Sequence, residues 1–288
     1  MLMNTKELLT VAYENNFAVG SFNVANSEFV KVVIEAAEEK GAPAIIQIHP
    51  NEVELVGDDF ITYVVEACKN TRIPISIHLD HGASVKDVLR AIRNGYTSVM
   101  IDASHDSFED NIAITKKVVE IAHAVNVSVE AELGTIGTNE GSSEGGADEI
   151  LYTNPEDAKR FIKETGIDIL AVAIGTSHGQ YRHKGKPELK IDLLEEINNL
   201  VDIPLVLHGG SDNKDEEIQQ TYHHGVAKIN LSTDMKNAFF KQMRTFLTEN
   251  ENAYEPDVII PSARESAKEL VKHKMDLFNS TGKATLYK

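Results

Sequence analysis

The chain has 288 residues, 42% of them apolar, enough for one large domain with a sizeable core or for two small ones. Its 45 acidic residues against 28 basic ones give a formal net charge of −17. A field of that sign disfavours nucleic acid and anionic membrane as partners, and an anionic substrate then needs a local positive site to overcome it.

In chain order, the opening MLMNTKELLTVAYENN reads as a short amphipathic helix without the basic start and long apolar run of a leader. No apolar run approaches the roughly 18 residues of a membrane span. The single cysteine, Cys68, permits no internal disulfide and fits a reducing cytoplasm. Eight short β-branched runs follow one another: FAVGSFNV (17–24), PAIIQI (43–48), PISIHL (74–79), TSVMI (97–101), VSVEAEL (127–133), IDILAVAI (167–174), IPLVLH (203–208) and VAKINL (226–231). Helical segments alternate with them. Ser84 and Ser107 each precede an Asp by three residues, Asn154-Pro155 puts proline at a first helical position, and Ser262 with Glu265 spells a full capping box for the last helix. Eight βα units in this length predict a single (β/α)8 barrel domain over 1–288, with an N-terminal helix and a C-terminal helical extension. A doubly wound open sheet is the competing architecture.

In such a barrel, active sites gather at the C-terminal strand ends. The eight strands end at or run into Asn23, His49, Asp80 with His81, Asp102, Glu132, His178, His208 and Asn230. Polar residues do mark where strands stop, which accounts easily for one or two of these and poorly for all eight. His81, His178 and His208 come from the third, sixth and seventh strands. Three neutral imidazoles with an open fourth position make a catalytic Zn2+ site, although any one of them alone is more often a hydrogen-bonded core histidine. HGGSD (208–212) and NLSTD (230–234) follow strands seven and eight, the usual phosphate loops of this barrel. There Gly209 and Gly210 admit close backbone approach and helix-start amides donate to an anion, with Arg182 and Lys184 as further charge. Ordinary turn glycines and an N-capping Ser232 or Thr233 would read the same. The long glycine-rich loop 134–153, which holds Glu140, is either a lid or a solvated acidic loop.

HLDHG, EAELGTIG, GTSHGQY, HGGS and KINLSTD, in that order, resemble the class II, metal-dependent fructose-bisphosphate and tagatose-bisphosphate aldolases, from GSFNV to KHKMDLFNSTGKA. The resemblance implies catalytic zinc ligands at His81, His178 and His208, in agreement with the reading above. It implies that Asp80 handles the C4 hydroxyl proton, and that Asp102 and Glu132 hold a second or alternative metal position, for a divalent or a monovalent cation. It further implies that Glu140 moves the C3 proton and that Asn230 contacts the reacting carbons. The phosphate of dihydroxyacetone phosphate would lie on Gly179, Gly209, Ser211 and the segment Asn230, Leu231, Ser232 and Thr233. Retro-aldol cleavage of C3–C4 suits a Lewis acid. The Schiff-base alternative needs a lysine, and the only one in a strand is Lys228, read as buried and paired, with Glu130 a candidate partner.

Two departures from the family pattern stand out. Asp212 replaces the glycine of HGGSG, and its carboxylate repels a phosphate unless it turns away. Before the last helix the family carries Asp-Pro-Arg, whose arginine crosses a dimer interface to the second phosphate. Here YEPDVIIPSARE places Asp257 there, in a loop, and Arg264 is no obvious replacement. The expectation is a cytoplasmic, homodimeric or homotetrameric aldolase of carbohydrate metabolism that prefers a ketose 1-phosphate. Fructose or tagatose 1,6-bisphosphate is the alternative substrate. A metal-dependent hydrolase on the same fold would place HxH on strand one, which reads SFNV. A non-catalytic sugar-phosphate binder has no use for Asp80, Glu140 and three histidines together.

Overall fold

The computed structural model describes residues 1–138, 150–179, 181 and 188–287. Its frame is a closed barrel of eight parallel strands: β1 (Val19–Asn23), β2 (Ala44–Ile48), β3 (Ile75–Gly82), β4 (Ser98–Ile101), β5 (Ser128–Leu133), β6 (Ile169–Val172), β7 (Leu205–Leu207) and β8 (Val226–Leu231). Each strand lies beside its neighbour in sequence, and β1 pairs with both β2 and β8. That closure is the expected (β/α)8 architecture and displaces the open sheet.

Eleven helices surround the described barrel: α1 (Thr5–Glu14), α2 (Ser27–Lys40), α3 (Pro50–Val56), α4 (Asp58–Asn70), α5 (Val85–Asn94), α6 (Phe108–His123), α7 (Pro155–Thr165), α8 (Ile191–Leu200), α9 (Asp215–Thr221), α10 (Thr233–Glu249) and α11 (Pro256–Leu277). None is long and apolar enough to cross a membrane among the described residues. The caps read from sequence are in place. Ser84 accepts from the Asp87 amide, Ser107 from the Asp110 amide, and Asn154 from two amides of α7 with Pro155 in its first turn.

The expected start of the last helix at Ser262 is wrong. Glu255 is the N-cap, Pro256 opens the helix, and Ser262 lies inside it. Proline pre-sets the helical φ at a first position, whereas Pro261, the sixth residue, lies inside the helix and removes one i→i−4 hydrogen bond. What anchors the helix is the buried stripe Ala263, Ala267, Val271 and Met275, together with ion pairs from Arg264, Lys268 and Lys272 to acids of α2. Asp257 therefore sits in the first turn of α11, exposed, and not in a loop.

Two apolar cores follow from strand alternation. Outward residues such as Phe22, Ile46, Ile77, Val99, Val129, Leu170 and Ile229 pack under the helices. Inward residues at the N-terminal end, Val19, Ile45, Ile169 and Val206, close over Leu8 and Leu9 of α1. Each such side chain stabilises the fold by about 1.5–3 kcal/mol when fully buried. Two residues further along three of these inward columns the lining becomes polar: Ser21 on β1, Gln47 on β2 and His208 beyond β7. The barrel is thus sealed below and chemically loaded above.

The β3–β4 register shifts between Leu79 and Gly82. A Cβ on Gly82 would stand 2.6 Å from the Met100 carbonyl oxygen, and a backbone atom does not give way easily. Gly82→Ala is expected to destabilise the protein by about 1–3 kcal/mol, as added core methyls do. Denaturant unfolding of the purified variant measures it; an unchanged midpoint would show that this contact relaxes at no cost.

Candidate active site

β3 delivers two consecutive residues, Asp80 and His81, to the barrel mouth. Neighbours on a strand normally face opposite sides. Here His81 adopts φ +46°, the left-handed region that non-glycine residues rarely enter. Together with the register shift, this brings its ring round to the side Asp80 already faces. His178 follows β6 in a two-residue strand, Ser177–His178, that pairs with Gly137–Thr138, and His208 follows β7. One ring nitrogen from each of the three histidines lies within 4.8 Å of the other two. Ring centroids are 4.7 Å apart for His81–His208, 5.1 Å for His81–His178 and 6.1 Å for His178–His208.

The second nitrogens of two rings are anchored. His81 Nδ1 bonds Asp102 Oδ2 at 2.7 Å and His208 Nε2 bonds Glu130 Oε1 at 2.9 Å. Such anchoring sends the remaining lone pairs inward, and His81 Nε2 and His208 Nδ1 face each other at 3.0 Å. Two lone pairs at that distance repel unless a cation or a proton lies between them. Burial opposes charge on His81, but Asp80 and Asp102 outweigh it and push the imidazole up to about 10. The site is therefore built to hold positive charge at this point. His81, Asp102 and Glu132 form a second triad of converging donor atoms. Burial, with Asp102 nearby, raises the Glu132 carboxyl well above its usual range, and its Oε2 has no hydrogen-bond partner. An all-imidazole triad bordered by an acid with an unsatisfied oxygen fits a divalent metal.

Asp80 is fully buried and held by amides. Asn23 donates to Oδ2 at 2.8 Å and Asn230 to Oδ1 at 3.3 Å. Gln47 steadies Asn23 at 2.6 Å and in turn accepts from Ser21. Burial alone would raise the Asp80 carboxyl, but His81, His208 and Lys228 hold it well below the usual range. Asn230 Oδ1 is buried without a partner. Sequence reasoning missed Gln47, although its place two residues beyond inward Ile45 marks it. His49, counted at the rim, caps α3: its Nδ1 accepts from the Asn51 amide.

The loops after β6, β7 and β8 converge beside the histidines. Gly179 and Gly209 have φ +90° and +63°, and a Cβ on Gly210 would meet Ile229 at 2.4 Å and the Asn230 carbonyl at 2.7 Å. Leu231 ends β8, Ser232 takes the N-cap place of α10 without a side-chain cap bond, and Thr233 begins the helix. Ser232 instead accepts from Lys236 Nζ at 2.8 Å, and Lys236 also pairs with Glu52 at 2.6 Å. Ser211 accepts from the Asp234 amide at 3.3 Å. Asp212 does turn: Oδ2 accepts from the Tyr181 amide at 3.0 Å. Glu140 and Arg182 lie outside the described residues. Asp257 belongs to α11, and Arg264 is engaged by Glu28 and Glu35.

The chain matches the sequence model of the class-II fructose-bisphosphate aldolases over residues 3–283. A fructose-bisphosphate aldolase of Thermus caldophilus is 41% identical over 305 residues, covering 99% of this chain and all of the relative. One from Staphylococcus aureus is 42% identical, over 98% of this chain and 99% of its own. Among solved structures, the YdjI aldolase from Escherichia coli K12 superposes with a TM-score of 0.85 at 33% identity, over 99% of this chain and 100% of that one.

His78, below Asp80, is fully buried, and burial pushes it down to about 3. Its folded value is thus below the unfolded one of about 6.5. As pH falls from about 6.5 towards 3 the unfolded chain binds a proton that the folded chain refuses, so stability is lost, by up to about 1.4 kcal/mol per pH unit for this one group. His78→Gln, unfolded by denaturant at pH 7 and pH 5 in the metal-free state, should show a shallower loss than wild type. Equal losses would mean that other groups set the slope.

Proposed function

The chain belongs to the class II fructose-bisphosphate aldolase family, and we propose that it acts as one (β/α)8 domain on a ketose 1-phosphate, reversibly breaking C3–C4 to give dihydroxyacetone phosphate and an aldehyde. The observation that carries this reading is Asp80 beside the imidazole triad, its Oδ1 3.9 Å from His81 Nε2, with both carboxylate oxygens fixed by asparagine amides. His81, His178 and His208 hold the catalytic divalent cation, read as Zn2+ from the nitrogen donors, with Asp102 and Glu132 as a second or alternative cation position; when bound, the ion stabilises the charge that cleavage leaves on the three-carbon fragment.

The remaining work falls to the chain. Asp80, kept ionised, accepts the C4 hydroxyl proton in cleavage and returns it in synthesis. Asn23 and Asn230 fix that carboxylate, and the unsatisfied Asn230 Oδ1 is left to receive a substrate hydroxyl. Gly179 and the close-packed Gly209 and Gly210, with Ser211 and the amides of Leu231, Ser232 and Thr233 at the start of α10, cradle the phosphate. Glu140 moves the C3 proton and Arg182 adds positive charge near that phosphate. The setting is the cytoplasm. Exposed Phe240, Leu247, Tyr254 and Val258 on α10, α11 and their connection support association of copies into a dimer or tetramer.

The preference for a single phosphate rests on Asp257 and on the engagement of Arg264 by α2. An acid in a first helical turn also suits the helix dipole, so Asp257 carries a local benefit besides repelling an anion. The second reading, a 1,6-bisphosphate substrate, is favoured by the names of the relatives at 41% and 42% identity.

Chelation is expected to abolish triose-phosphate release in a coupled assay, and Zn2+ or Co2+ to restore it; a chelator-resistant rate, with borohydride trapping of substrate on Lys228, would replace the metal mechanism by a Schiff base. Asp80→Asn should lower kcat by roughly 10²–10⁴-fold. Glu140→Gln should slow exchange of the C3 proton of dihydroxyacetone phosphate while leaving its binding intact, and unimpaired exchange removes Glu140 from the mechanism.

Substrate choice is decided by kcat/KM on fructose 1-phosphate and fructose 1,6-bisphosphate. Wild type should favour the monophosphate, and Asp257→Arg should shift the ratio towards the bisphosphate by about tenfold or more, the equivalent of about 1.4 kcal/mol. A wild type that prefers the bisphosphate establishes the second reading.

A further inference from the structure

Beneath the imidazole triad, behind the bond from His208 to Glu130, lies a buried polar layer. Glu130, Lys228 and His78 are all fully buried. Lys228 Nζ donates to both oxygens of Glu130, at 2.8 and 3.0 Å. Glu130 Oε1 also bonds His208 Nε2 at 2.9 Å, while His78 Nε2 stands 3.5 Å from Oε2 and His78 Nδ1 shares a 2.8 Å bond with Ser98. A buried ion pair is a poor stabilising device, because desolvation of two charges offsets their attraction and apolar residues of equal volume often do as well. Its geometry towards His208 is more telling. A ring nitrogen bonded to a carboxylate carries the proton, which leaves the other nitrogen as a lone pair.

We propose that Glu130 is a positioning residue for the cation at the three-histidine site, and that Lys228 holds the Glu130 carboxylate in place for that task. Glu130 fixes His208 as the Nε2–H tautomer and aims Nδ1 at the point that His81 Nε2 also faces, 3.0 Å away. Lys228 pins both carboxylate oxygens, so the carboxylate cannot rotate away from the ring, and its charge compensates the burial of Glu130. The assignment accounts for a lysine on β8 that has no substrate role in the metal-dependent reaction. It rests on the reading that His81, His178 and His208 bind a divalent cation.

The test is titration of the full-length chain with Co2+, followed by its visible absorption bands and by competition with a chelator. Glu130→Gln keeps the shape and removes the charge. Co2+ affinity should fall by about 10–100-fold, the usual consequence of losing a partner behind a metal ligand, and the absorption bands should change. A merely structural role would alter unfolding of the metal-free protein and leave affinity and bands as in wild type; that result overturns the proposal. Should Glu130→Gln fail to fold with Lys228 unpaired, the double variant Glu130→Gln with Lys228→Met removes both charges and carries the same expectation. Independently, 15N spectra of the histidine rings in the wild-type Zn2+ form should show His208 protonated at Nε2 and ligating through Nδ1; the opposite tautomer refutes the assignment. His208→Ala that binds Co2+ as tightly as wild type would refute the three-histidine reading itself, and not the role of Glu130 within it.

Discussion

The turn at His81 is the constraint on which the site depends. A strand in a barrel offers alternate residues to the interior, so one strand end normally contributes one side chain to the mouth. The left-handed backbone at His81, with the slipped β3–β4 register beside it, makes β3 contribute two in succession. The Asp80 carboxylate, proposed to handle the proton, and one imidazole are thereby held in one rigid peptide unit, and the separation of Asp80 from His81 does not depend on loop motion. A strained φ persists only where the surroundings over-determine it. Here Gly82 against Met100, Asp102 on His81 Nδ1 and two asparagines on Asp80 supply that determination.

Charge explains why the surroundings are so carefully paired. Asp80, Glu130 and Glu132, all buried, and the half-buried Asp102 converge on a small volume in which Lys228 is the one lysine partner among the described residues. Buried carboxylates either find cations or take up protons. Three of the four are held low by neighbouring histidines and Lys228 in spite of burial, while Glu132 is left high. The imbalance is local and negative, the complement of a divalent ion. The apolar floor of Leu8, Leu9, Val19 and Ile45 excludes water from below, so each of these pairings acts at low dielectric.

Much of this was legible in the sequence because strand ends are legible. All eight strands fall within the runs read from β-branched clusters or extend just past them, and alternation alone placed Lys228 on the side of Asn230. What escaped reading was what alternation cannot express. A positive φ at a histidine breaks the period of two, so sequence shows Asp80 and His81 as neighbours without showing that they share a face. Gln47 looked like an ordinary strand residue because nothing in the chain near it names Asn23 or Ser21 as partners. The start of α11 differs from the sequence expectation because the well-formed capping pattern at Ser262 competes with Pro256, whose fixed φ suits a first helical position six residues earlier. Asp257 moved from loop to helix for the same reason.

Asp212 shows how a residue that looks hostile to function in sequence is reconciled by backbone geometry. The family's usual glycine at this place suggests a conformation costly for other residues, and Asp212 indeed has φ +57°. Aspartate is among the few side chains that tolerate this region, since its short polar group can bond locally. Its carboxylate accepts from the Tyr181 amide, and its own amide donates to Asp234 Oδ2 at 3.3 Å. The negative charge thus ties the segment after His178 to the loop after β7, two of the three segments of the proposed phosphate cradle. Replacing glycine by aspartate adds a tether between those loops; at the start of α10 the Asp234 amide is taken by Ser211 and the N-cap Ser232 makes no side-chain cap bond, which leaves the amides of Ser232 and Thr233 as the proposed anion donors.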